Sequence, residues 1–223
     1  MAFRRSMPIE RVLYGLGSLL VFIAAAGGCV GAYFLTDPEK SETIEAEYGN
    51  IRDGTVAVVV WADQPIVDEY PQARYQVCRS VTHHMKKNLK AANFVSAREI
   101  REFQTNSSAD WENMSPNEIG QELDCDFVLR LELLEFTPRA SDTRQLHKAR
   151  IEATMNLFEC GTHNRLDPAF DSEVRITYPP KRLHGAQNTN EADLLHQAVE
   201  YFSEVAARKF YAHEIKLQDK PFR

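Results

Sequence analysis

Patterns that spell out a reaction are missing from these 223 residues: there is no HExxH, GxSxG, Walker loop or CxxC. Zinc hydrolysis, acyl transfer, phosphate cradling and dithiol redox chemistry therefore lose their usual signatures. Cysteine is scarce. Apart from Cys29 there are only Cys78, Cys125 and Cys160, an odd set that cannot pair completely, so free thiols are expected. Cationic side chains are in deficit, with 26 Lys and Arg against 32 Asp and Glu and a net charge of −6. That balance excludes nucleic acid, which requires a basic footprint, and an anionic lipid surface as ligand. No set of residues points to a cofactor or a metal, and no catalytic residue is assigned.

The strongest positive signal is near the N-terminus. Arg4, Arg5 and Arg11 precede Val12–Leu35, a stretch without a charged side chain, and Asp37, Glu39, Glu42, Glu45 and Glu47 follow it. As a helix this stretch would be roughly 36 Å long, sufficient for the roughly 30 Å hydrocarbon core of a bilayer. The positive-inside rule then keeps the N-terminus in the cytoplasm and exports the rest. Residues 1–35 are expected to be a cytoplasmic N-terminus and a transmembrane signal anchor. Ala26-Gly27-Gly28-Cys29 opens a second reading, a lipobox that would make the chain a lipoprotein acylated on Cys29. Against it, Ala26 stands where lipoboxes usually carry a large aliphatic residue, and Val30–Leu35 stays apolar. Gly27 and Gly31 form a GxxxG pair that would let two membrane helices approach as a homodimer.

Beyond the apolar run, residues 36–54 are acidic and read as a linker. A single exported domain is expected over 55–215, with a C-terminal tail at 216–223. Thr55–Ala62, TVAVVVWA, is apolar at nearly every position and predicts a central strand covered on both faces. Val77, Cys78, Val81, Met85, Leu89 and Ala92 recur at helical spacing within an expected helix over 69–92. Asn93–Val95 predicts a short strand, Ser96 caps a small helix, and Ser115-Pro116-Asn117-Glu118 carries the marks of a helix start with a capping box. The alternating segments 126–136, 149–157 and 170–178 predict strands with one wet face, and 191–212 a closing amphipathic helix. The expectation is an α/β fold with one mixed sheet of about five strands in the order 2-1-3-4-5, its later strands antiparallel.

The VAVVV strand, the helix ending in NLKAANF and the segment EIGQELDCDFVLRLELLEF together resemble the bacterial envelope α/β domain of the TolB N-terminal, CsgG and LpoB group, over about residues 55–212. The resemblance implies an accessory or assembly domain that binds another envelope protein and is not an enzyme. This sequence departs from the group in showing neither a propeller nor a pair of amphipathic membrane hairpins.

Candidate residues beyond these are few. His83 and His84 are adjacent on a helix and point about 100° apart, so they cannot chelate one metal together. Asp63 and Asp68 follow the central strand at its C-terminal end, where α/β folds often place ligands. His163 and His184 fall in polar segments without evident partners, and His213-Glu214 follows the closing helix. Trp61 reads as core, while Trp111 is open between a docked loop anchor and an interface residue. Arg130, Glu132, Arg150, Glu152, Glu173 and Arg175 share one sheet face, which reads either as solvated or as a partner surface. Matching unlike charges across the third and fourth strands selects a register in which Arg130 opposes Glu152 and Glu132 opposes Arg150. The function implied is a membrane-tethered, non-catalytic protein-interaction domain in the periplasm on a single-pass inner-membrane anchor. An unrecognised enzyme or small-ligand carrier is the alternative class.

Overall fold

The computed structural model describes residues 41–51, 53–106, 108–138, 148–161, 167–180 and 190–216. Two compact units are present, one of them running from Glu45 to His213. Ser41–Ile44 (β1) pairs with His213–Lys216 (β7) in a two-stranded sheet, all of whose residues but His213 fall in the other unit.

Within Glu45–His213 the sheet contains Thr55–Ala62 (β2), Asn93–Phe94 (β3), Phe127–Thr137 (β4), Ala149–Glu159 (β5) and Phe170–Tyr178 (β6), in the order β3-β2-β4-β5-β6. This is the expected five-stranded order. β2 is parallel to β3 and β4, and the β4, β5 and β6 ladders are antiparallel. Its central position explains the unbroken apolar run of β2: every residue from Val56 to Ala62 is buried, because both faces are covered.

The helices are Gln64–Glu69 (α1), Ala73–Asn88 (α2), Ala97–Asn106 (α3), Pro116–Glu122 (α4) and Glu191–Arg208 (α5), with a 3-10 segment at Ser108–Asn113. α2 and α5 pack against each other. They supply Val77, Val81, Met85, Leu194, Ala198 and Phe202 to the core, all at or below 2% exposure, opposite the sheet face of Leu129, Leu131, Met155 and Leu157. The helix expected over 69–92 is the shorter α2, and α1, which was not expected, ends at Glu69 just before it. Pro71 disfavours the helical conformation for the residue before it, and Tyr70 accordingly leaves α1 at φ −129°, ψ 73°.

The compact unit that holds the sheet runs from Glu45, and part of the acidic stretch before Thr55 packs within it. Tyr48 donates its N–H to the Lys209 carbonyl at 3.1 Å, its hydroxyl to Glu159 at 2.9 Å, and Ile51 is 3% exposed. The buried Ile51 and the half-buried Tyr48 dock this otherwise acidic stretch. The β4–β5 register also differs. Arg130 opposes Asn156 and Glu132 opposes Thr154, and only beyond an irregularity between Leu133 and Glu135 does Glu152 gain a β4 partner, Glu135. The expected sum was even, and the observed one is even along the lower hairpin, which keeps Leu129, Leu131 and Leu133 on the core side. The observed register sets Leu129 against Leu157 and Leu131 against Met155, where the expected one would have set them against Ala153 and Ile151, so larger apolar side chains meet across the core face.

Candidate partner surface

The face of the sheet opposite α2 and α5 has two halves. Over β2 it is roofed. The Trp61 and Trp111 rings stand 5.0 Å apart, and Phe103 of α3 meets Trp111 at 6.5 Å. Two guanidinium groups close the stack: Arg130 lies 4.6 Å from the Trp61 centroid and Arg74 5.4 Å from that of Trp111. Arg74 also donates Nη2 to the Ala62 carbonyl at 2.9 Å and to Glu112 at 2.8 Å. Trp111 is 3% exposed. Of the two readings left open for it, docked anchor or possible partner-surface residue, the first fits: it anchors the 3-10 segment on β2, and a ring sunk against Trp61 offers a partner no area.

Over the β4–β6 half the same face carries Arg130, Glu132, Glu135, Arg150, Glu152, Glu173 and Arg175. Strand pairing puts these residues in adjacent rows. Asp171, Glu173, Arg175 and Thr177 of β6 are exposed, while Val174 and Ile176 between them are buried against the helices. The charges are linked in pairs. Arg130 meets Glu132 at 3.4 Å, Arg150 meets Glu135 at 3.5 Å, and Arg175 donates Nε to Glu152 at 2.7 Å. The bidentate bond from Arg175 holds the Glu152 carboxyl below the usual glutamate range. Leu134, the residue at the strand irregularity, is 48% exposed beside this array. All six residues expected on one face, Arg130, Glu132, Arg150, Glu152, Glu173 and Arg175, do share it, but Arg130 and Glu132 do not face Glu152 and Arg150 across the strands as expected. Arg74 and Glu135 were not anticipated. The doublet Leu133-Leu134, which breaks the alternation of β4, was the available signal for Glu135.

The remaining candidates are structural in their contacts. His84 approaches Glu200 at 3.2 Å, and Ser80 donates to the same carboxylate at 2.8 Å, joining α2 to α5. Asp68 accepts from Gln64 at 2.7 Å within α1, and Asp63 is the N-cap residue of α1. His213 Nδ1 lies 3.2 Å from the Tyr211 carbonyl. Cys78, Cys125 and Cys160 are free thiols, and burial pushes Cys78 and Cys125 up to about 12. Cys125 and Cys160 both lie near Gly120 of α4. Cys125 precedes β4, so the alternation of that strand does not govern it. Among the described residues no group of three or more His, Cys, Asp and Glu is placed to hold a metal. His163, His184, Cys29, Gly27, Gly31 and the apolar stretch 12–35 lie outside the described residues. Among those described, no helix is long and apolar enough to cross a membrane.

No known family matches the sequence, and no curated protein matches it. Solved structures similar to the chain include a PelC dodecamer from Paraburkholderia phytofirmans, at 11% identity, TM-score 0.45, covering 77% of this chain and 98% of that one. Lipoprotein GNA1162 from Neisseria meningitidis is similar at 15% identity and TM-score 0.45, covering 68% and 97%. The hypothetical protein CT253 from Chlamydia trachomatis is similar at 16% identity and TM-score 0.42, covering 70% and 95%. Likeness at this level assigns no function.

Proposed function

We propose that this chain is a membrane-tethered, non-catalytic interaction or assembly domain of the bacterial cell envelope, exported to the periplasmic side by its N-terminal apolar segment. The observation that carries the proposal is the division of one sheet face. Helix α3 and the 3-10 segment roof β2 with Phe103 and Trp111, while the β4–β6 rows present three arginines and four glutamates on a rigid sheet. A planar array of guanidinium and carboxylate groups suits recognition of another protein, where charge complementarity fixes register and partner choice. The Arg4, Arg5 and Arg11 flank before Val12–Leu35 supports the exported placement, and the pattern resemblance to the TolB N-terminal, CsgG and LpoB group supports the same class.

The test is site-specific photocrosslinking in intact cells, with the probe at Glu132 on this face and at Lys87 on the exposed side of α2 as control. Adducts to one envelope protein from Glu132 and none from Lys87 are expected. Equal labelling from both positions, or no adduct from Glu132, overturns the assignment of this face.

A further inference from the structure

We propose that β6 pairs edge to edge with β6 of a second copy of this chain, antiparallel about a two-fold axis at Val174, so that two five-stranded sheets become one. The inference does not depend on the proposed function. It begins with the two unequal edges of the sheet. One edge is β3, only two residues long, and a very short edge strand is a common protection against unwanted pairing. The other is β6, nine residues long, and among the described residues no strand pairs with its outer side. β6 contains no Lys, Pro or Gly. It pairs with β5 from Phe170 to Tyr178 without a register shift, so no bulge turns it away. Glu47 and Tyr48 touch the first residues of β6 through the side chains of Ser172 and Phe170, and among the described residues the row of backbone donors and acceptors on this long, regular edge is paired with no strand.

The sequence of β6 is complementary to itself in one register. In an isologous antiparallel pairing the numbers of opposed residues share a constant sum, and an odd sum would set the buried side chains of one copy against the exposed ones of the other. Among even sums, centring on Val174 puts Glu173 of each copy against Arg175 of the other, Asp171 against Thr177, and Ser172 against Ile176. Moving the centre to Glu173 opposes two glutamates, and moving it to Arg175 opposes two arginines. Like charges directly opposite each other disfavour pairing. Arg175 can serve both sheets, since Nε and Nη2 engage Glu152 within its own chain and Nη1 is the donor assigned to Glu173 of the second copy. The same axis keeps both sets of helices on one side and joins the two charged faces into one surface. A ladder of this length is smaller than a standard interface of roughly 1,600 Å², so the expected association is weak and concentration-dependent.

The test uses the full chain in detergent micelles, followed by analytical ultracentrifugation up to millimolar concentration. The wild-type chain should dimerise. Glu173→Arg and Arg175→Glu, each alone, set like charges across the axis and should weaken the dimer at least tenfold. An equimolar mixture of the two variants restores both unlike pairs and should recover wild-type association, which also shows that each variant is folded. A wild-type chain that stays monomeric overturns the proposal. So does a dimer of unchanged strength in either variant, as a contact through the membrane segment would give, or a mixture that fails to recover.

Discussion

Gly120 in α4 has no room for a methyl group: a Cβ there would lie 2.6 Å from Cys160 Sγ and 2.8 Å from Cys160 Cβ. The missing side chain lets α4 seat against the end of β5. Gly120→Ala is expected to cost about 1–3 kcal/mol through overpacking, read as a lowered denaturant midpoint. Cys160→Ala removes the nearer clash and leaves the Cβ contact, so the double variant should recover part of the loss. An equal cost of Gly120→Ala in both backgrounds would show that the helix is held away by something else. Glu200 provides a second test. Burial alone would raise its pKa, but the bonds from Ser80 and His84 prevail and the carboxyl sits below the usual glutamate range. A pKa lower in the folded chain than in the unfolded one contributes stability above the unfolded value, about 4.3 for glutamate. That stability is lost as pH falls through the folded value. Urea midpoints measured across the acid range should therefore fall less steeply for Glu200→Gln than for the wild-type chain. Parallel curves would remove Glu200 from the acid sensitivity of the α2–α5 contact.

At the scale of elements, α4 begins as its sequence dictates. Ser115 Oγ accepts from the Glu118 N–H at 3.3 Å, the Glu118 carboxylate accepts from the Ser115 N–H at 2.7 Å, and Pro116 occupies the first turn. Ser115→Ala should cost about 1 kcal/mol in thermal or denaturant unfolding, and a neutral effect would mean that packing of Ile119 alone sets the helix start. This start was legible because all its determinants lie within four residues. The strand order was legible for a related reason: the unbroken apolar run of β2 fits only a central strand, and the alternation of β4, β5 and β6 fits strands with one open face. The β4–β5 register was not, since exposed charges were weighed where apolar overlap decides, and one residue near Leu134 shifts every pair beyond it. Nor was the docking of Trp111, which depends on Trp61, some fifty positions away in sequence. β1 and β7 are four residues each and come from opposite ends of the chain, too short for a periodic signal. The charged face was recognised by parity, but which arginine meets which glutamate is a property of three strands together.

For the whole molecule, the proposed membrane tether of the Glu45–His213 unit is the feature to test. Two chemistries compete over the same residues. Signal peptidase cleavage before Cys29 would leave Val30–Leu35 as an apolar mature terminus, whereas an uncleaved helix uses all of Val12–Leu35 to span the hydrocarbon core. The second accounts for every apolar residue and for the arginines before them, so attachment should not depend on the thiol. Cys29→Ala is expected to leave the chain in the membrane fraction after an alkaline carbonate wash, with an intact mass equal to that of the uncleaved sequence. A single acyl chain gives only marginal, reversible membrane binding, and stable lipid anchoring takes more than one. In a lipoprotein, replacing the acylated cysteine would also block the cleavage before it and leave the apolar segment on the chain, so the wild-type mass is the measurement that separates the two anchors. A wild-type mass corresponding to a chain that starts at an acylated Cys29 would replace the helical anchor by a lipid one.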